Sequence, residues 1–97
     1  MRIVAVTACP TGIAHTYMAA EQLEKTAKKL GHTIKVETQG AMGIENELTA
    51  ADVSGADVMI IAADIALERP ERFERIRKLE VPVQLVIRNP EAVFARL

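Results

Sequence analysis

The chain has 97 residues, 49% of them apolar, which suits one compact domain over residues 1–97 and leaves no room for a second. A formal charge of −1 with interspersed basic and acidic residues gives nucleic acid no electrostatic footprint, and one Tyr, two Phe and no Trp offer few surfaces for base stacking. A single cysteine rules out a disulfide within the chain, and two well-separated histidines give no metal-ligand spacing. No apolar run reaches the roughly 18 residues of a membrane span, so the expected setting is reducing and cytoplasmic, without a metal and without membrane insertion.

Residues 2–8, Arg-Ile-Val-Ala-Val-Thr-Ala, are a nearly unbroken apolar run rich in β-branched side chains and predict a strand buried on both faces. Over residues 16–30, Ala20, Leu23, Ala27 and Leu30 recur at helical spacing, Glu21/Lys25 and Glu24/Lys28 pair one turn apart, and Lys28, Lys29 and Gly31 supply a stop. Residues 33–38 alternate polar and apolar, as a strand with one buried face near a sheet edge does. Residues 39–43 read as a glycine-punctuated loop, and Thr49 with Asp52 opens a short helix. Residues 58–63 predict a second central strand. Residues 70–79 place Phe73, Ile76 and Leu79 at helical spacing among alternating Arg and Glu, predicting a helix with a solvated charged face. Residues 81–87 read as an edge strand that tolerates Pro82, and Pro90 begins a short final helix. The expected fold class is therefore α/β: a three-layer, four-stranded parallel sheet of order 2-1-3-4 flanked by helices, of Rossmann or flavodoxin type.

That order reverses between strands 1 and 3, and ligands of such sheets bind there, outside the carboxyl ends of the strands. Cys9 follows strand 1 directly. With Pro10, Thr11, Gly12, Ile13, Ala14, His15 and Thr16 it forms a loop closing onto a helix N-terminus, where backbone N–H groups and the helix dipole favour an anion, whether thiolate or phosphate. Gly12 permits close backbone approach, Thr11 and Thr16 offer hydroxyls, and Pro10 fixes the chain past the candidate nucleophile while lacking an N–H. His15 reads equally as a phosphate donor or as a packing residue, and the plain alternative for Cys9 is a small buried hydrophobe. His32 is expected in solvent. Asp64, at the same sheet end, is expected to cap a neighbouring turn rather than to act in catalysis.

The segment Val6-Thr-Ala-Cys9-Pro-Thr-Gly-Ile-Ala-His15-Thr-Tyr-Met-Ala-Ala20-Glu21 resembles the active-site segment of fructose-family enzyme IIB domains of the bacterial phosphoenolpyruvate-dependent sugar phosphotransferase system. The likeness continues through Ile34-Lys-Val-Glu-Thr-Gln-Gly40, Gly43, Asn46, Leu48-Thr49, Ala56-Asp57, Ala63-Asp64 and Arg72-Phe73. Beyond Phe73, Glu74-Arg75 stand where Gly-Lys would be expected, so the last third is expected to diverge. The resemblance implies a phosphoryl relay in which Cys9 accepts phosphate from a phosphohistidine on enzyme IIA. Cys9 would then deliver it to a sugar, fructose by default, bound by membrane enzyme IIC. It implies no cofactor on this chain, and a cytoplasmic place at the inner face of the membrane through enzyme IIC. The chain would be either free-standing or a piece of a longer one.

Rival readings differ in their chemistry. A low-molecular-weight tyrosine phosphatase or arsenate reductase also carries a cysteine loop after strand 1, but needs an arginine where His15 stands, and the Asp-Pro pair of its general acid is missing. A regulatory module reporting sugar flux through phosphorylated Cys9 is compatible with the same residues. A redox thiol lacks a resolving cysteine.

Overall fold

Ile3, Val4 and Val6 favour extended backbone, and every residue from Ile3 to Ala8 is buried, so the first strand lies at the centre of a sheet. The computed structural model describes residues 1–9, 13–40 and 43–97. In chain order the elements are β1 (Arg2–Ala8), α1 (Ile13–Lys29), β2 (Thr33–Gly40), β3 (Gly43–Glu45), α2 (Ala50–Ser54), β4 (Val58–Ala63), one 3-10 turn (Pro70–Phe73), β5 (Lys78–Val81), α3 (Val83–Arg88) and α4 (Pro90–Phe94).

The sheet order is β3-β2-β1-β4-β5. β2, β1, β4 and β5 run parallel in the expected order, and β3 adds an antiparallel strand outside β2. Side-chain alternation along β1 divides the core. Ile3, Ala5 and Cys9 face α1, α3 and α4, whereas Val4 and Val6 face a thinner layer formed by Leu48, Phe73 and partly buried Val53 and Leu67.

Four expectations change in the structure. Residues 81–87 are not one strand: β5 ends at Val81, Pro82 is the residue before α3, and the buried residues Val83 and Val86 stand three apart, a helical rather than a strand period. The helix expected over residues 70–79 shrinks to the 3-10 turn, since Lys78 and Leu79 instead pair with Met59 and Ile60 as the start of β5; Arg69 enters the turn in a left-handed conformation (φ 48°). β2 is neither an edge strand nor one-faced. It runs through Gly40 into a hairpin with β3, and Val36, Glu37, Thr38 and Gln39 are all buried. His32 is half-buried, its ring stacked on Phe94 at 6.0 Å between centroids. The helix stop is as expected in kind: Gly31 is left-handed (φ 80°), and the His32 N–H reaches back to the Ala27 carbonyl at 2.8 Å.

Thr49 and Asp52 form a reciprocal capping box at the start of α2, and Lys35 of β2 donates to Asp52 at 2.7 Å. The hydrogen bond from Lys35, followed by those from Thr49, pulls the Asp52 carboxyl from an ordinary 3.8 to about 2. A carboxyl lowered on folding stabilises the protein above its unfolded-state value and loses that contribution as pH falls through its folded value. Thermal melts from neutral pH down to about 2 are therefore expected to show a loss between pH about 4 and about 2, and Lys35→Met should flatten it.

Phe73 is 1% exposed and seals the thin layer against Val4, Val6 and Met59. Phe73→Ala is expected to cost about 3–5 kcal/mol, read as a lower urea midpoint at unchanged m-value.

Candidate active site at the carboxyl end of the sheet

β1 delivers Cys9 to the carboxyl end of the sheet, and α1 begins at Ile13. Cys9 is 7% exposed on the α1 side, and its Sγ lies 3.9 Å from His15 Nδ1. The Thr7 hydroxyl donates to the Thr16 carbonyl at 3.1 Å, which ties the first turn of α1 to β1 just ahead of the cysteine. Thr16 is itself buried, and among the described residues its Oγ1 finds no hydrogen-bond partner. No acidic side chain stands in the first turn of α1, so nothing in that turn neutralises its positive end. Ala14 is exposed beside His15. The structure thus brings together Cys9, His15 and Thr16. Pro10, Thr11, Gly12 and the side chain of Ile13 lie outside the described residues.

Two further segments border this end. The Tyr17 hydroxyl on α1 donates to Glu45 of β3, which fastens the β2–β3 hairpin to the helix that follows Cys9. Asp64 leaves β4 with its N–H on the Ala8 carbonyl at 3.1 Å, and its carboxylate accepts from the Val83 N–H at 3.4 Å. Asp64 therefore caps α3.

Sequence reasoning missed the group that organises the far side. Glu37 of β2 is completely buried and accepts from Arg72 Nη1 at 2.7 Å and Nη2 at 3.0 Å, from Gln39 Nε2 at 2.8 Å and from the Leu48 N–H at 2.8 Å. Burial pushes this carboxyl up, but the hydrogen bonds from Arg72, Gln39 and Leu48 outweigh burial and hold it below its ordinary value. The same bonds to Glu37 raise Arg72 above its ordinary value. Arg72 also covers the Phe73 ring at 4.4 Å from its centroid. Charge alternation made Arg72 look solvated. The signal that could have found the pair was its membership of Val36-Glu-Thr-Gln-Gly40 and Arg72-Phe73, two segments that carry the resemblance.

Among the described residues, no three His, Cys, Asp or Glu side chains converge where a metal ion could sit, and no helix is long and apolar enough to cross a membrane.

Over residues 4–96 the chain matches the family described as the lactose/cellobiose-specific IIB subunit of the PTS system. It is 48% identical over 96 residues to the PTS system fructose-like EIIB component 2 of Escherichia coli strain K12, covering 99% of this chain and 91% of that protein. The chain belongs to the fructose-type IIB components of the phosphotransferase system. It is also 52% identical over 95 residues to the fructose-specific EIIABC component of Bacillus subtilis strain 168, covering 98% of this chain and 15% of that longer protein. A crystal structure described as predicted fructose-specific IIB from Escherichia coli superposes with a TM-score of 0.92 at 45% identity, covering 97% of this chain and 83% of that one.

The family description names lactose and cellobiose, whereas these relatives, aligned along nearly the whole chain, are fructose-type, which is the finer discriminator. Alignment over 99% of the chain carries the likeness past Phe73 into the last third, where divergence is expected. Glu74 and Arg75, the departures that suggested it, are exposed, where a change of side chain leaves the core intact.

Proposed function

We propose that this chain is a single IIB domain that accepts a phosphoryl group on Cys9 from a phosphohistidine of enzyme IIA and passes it to a sugar held by membrane enzyme IIC. The sugar is fructose or a fructose-like one, by the names of the two relatives described above. The observation that carries the reading is Cys9 at the carboxyl end of β1, with His15 Nδ1 3.9 Å from its sulfur and the first turn of α1, free of acidic residues, following.

In the first step the Cys9 thiolate attacks phosphorus, the S–P bond forms and the N–P bond of the donor breaks, leaving the donor imidazole neutral once its proton balance is restored. In the second, a sugar hydroxyl oxygen attacks phosphorus, the S–P bond breaks and the thiolate leaves as the hydroxyl gives up its proton. Sulfur suits both steps, since thiolate is a good nucleophile and a tolerable leaving group. Catalysis is then positioning and charge neutralisation. Residues 10–16 bind the phosphoryl oxygens: backbone N–H groups from Thr11 through Thr16, the hydroxyls of Thr11 and Thr16, and His15, with Pro10 shaping the turn. The buried, unpartnered Thr16 hydroxyl supports a donor role there. The domain works in the cytoplasm, reaching the inner face of the membrane through enzyme IIC.

Incubation with phosphoenolpyruvate, enzyme I, the carrier protein and a fructose-type enzyme IIA is expected to add one phosphoryl group, located by mass spectrometry on Cys9. Fructose should discharge it only in membranes containing the matching enzyme IIC. A stable phosphohistidine on His15 in its place, or efficient hydrolysis of aryl phosphates by the isolated domain, would overturn the assignment.

A further inference from the structure

Residues 64–69 leave β4 and run to the 3-10 turn, and their attachments define their path. The chain departs with the Asp64 N–H on the Ala8 carbonyl at 3.1 Å and arrives with the Glu68 N–H on Gln39 Oε1 at 2.8 Å. In the sheet, Ala8 stands between its β4 partner Ala63 and its β2 partner Gln39. The segment therefore crosses the carboxyl end of β1, the point from which Cys9 emerges. Leu67 packs down against the Val4 and Val6 layer, while Ile65 stays 45% exposed on the outside.

At the carboxyl end of β1, α1 lies over the face that Cys9 presents and this strap over the opposite face, bonded to Ala8 one residue before the cysteine. What holds the strap is the buried polar group of β2. Gln39 accepts from Glu68 N–H, and its Nε2 also lies 3.3 Å from the Glu68 carbonyl. Arg72, forked onto Glu37, reaches the Glu68 carbonyl with Nη2 at 3.1 Å and the Arg69 carbonyl with Nε at 2.9 Å. A stability role alone would need only the charge pair with Glu37; these additional bonds go to the backbone of the strap.

We propose that Gln39 and Arg72 are positioning residues for phosphoryl transfer, acting through the strap 64–69, which underlies the carboxyl end of β1 on the face opposite α1, to hold the backbone from which Cys9 emerges. This rests on the transfer reaction proposed above.

Two variants separate position from charge. Gln39→Leu removes the side-chain bonds to Glu68, and with them one hydrogen bond to Glu37, while Arg72 stays forked on Glu37. Arg72→Lys keeps a positive charge beside Glu37 but loses the fork that also reaches Glu68 and Arg69. Phe94→Leu, at the amino end of the sheet, serves as a control of comparable destabilisation. Two rates are read: transfer from phosphorylated enzyme IIA to Cys9 at saturating donor, and alkylation of Cys9 by neutral iodoacetamide, which needs no partner.

Both strap variants are expected to lose about tenfold in the saturating transfer rate with KM moved by less than about threefold, and to change the alkylation rate by about threefold or more. Phe94→Leu should change neither. Strap variants within about twofold of the parent protein in both rates, or a Phe94→Leu that reproduces their losses, would overturn the proposal. If the parent protein takes no phosphoryl group, the transfer reading fails, and the alkylation contrast alone upholds or overturns the hold of the strap on Cys9. If the variants do not fold, amide exchange in the parent protein decides: Asp64 and Glu68 should exchange as slowly as β1, and exchange at the rate of an exposed loop overturns it.

Discussion

Cys9→Ser is expected to abolish phosphoryl acceptance, with a loss of at least about a thousandfold in the rate at which enzyme IIA labels the chain. The substitution exchanges one atom in a nearly buried position at the end of β1, so the core around Ala5, Ala19 and Leu23 should barely change and the melting temperature should stay close to that of the parent protein. The chemistry changes far more. A serine hydroxyl remains protonated where a thiol ionises, so the attacking species is lost, and any phosphate ester formed on oxygen would have a poor leaving group in the second step. Labelling time courses with phosphorylated enzyme IIA, followed by mass spectrometry, measure the effect. Retention of labelling within about tenfold of the parent rate would mean that Cys9 is a packing residue and that the group is carried elsewhere.

Arg72→Met is expected to destabilise the fold by about 3–5 kcal/mol, the usual consequence of leaving a buried charge without its partner. For a chain of this size that corresponds to a fall in Tm on the order of 15 °C or more. The expectation follows from Glu37: its side chain has no exposure, and two of the hydrogen bonds that offset its burial come from Arg72. The pH dependence gives a second readout. In the parent protein Glu37 sits below its ordinary value, so its contribution is present at neutral pH and lost as pH falls through the lowered value. In Arg72→Met the stranded carboxylate favours protonation, so the deficit relative to the parent should shrink as pH falls through the carboxylate range. Adding Glu37→Gln to Arg72→Met should recover more than about 1 kcal/mol at neutral pH, because it removes the stranded charge. A single-variant loss below about 1 kcal/mol would instead class the pair with exposed surface ion pairs.

Where the sequence could be read correctly, the signal was local. The unbroken apolar runs at residues 2–8 and 58–63 marked the two central strands, and with them the reversal point at which Cys9 lies. Gly31 after two lysines marked the end of α1, and Thr49 with Asp52 marked the start of α2. Where reading failed, the deciding partner was distant. The β-branched residues of 81–87 favoured a strand by propensity; α1 packing on one side, and a proline that cannot extend the ladder, chose the helix. Residues 70–79 had a helical period, but Lys78 and Leu79 pair with β4 as part of β5, and Arg72 is drawn to a glutamate 35 positions earlier.

Cys9 shows the same division. From the chain alone it is a thiol directly after a buried strand and just ahead of a helix, in a segment that resembles that of a phosphoryl carrier. Those properties depend on neighbours in sequence, and local pattern was enough to establish them. That His15 Nδ1 comes to 3.9 Å from Sγ depends on the helical turn that follows, and that a strap from β4 crosses the end of β1 depends on Gln39 and Arg72 meeting the backbone of Glu68. Glu37, an ordinary charged residue in an alternating stretch, becomes a completely buried anchor only where Leu48 and Arg72 of the 3-10 turn close onto it. Burial of a charge is a property of what surrounds it, and that surrounding exists only once the distant segments have packed.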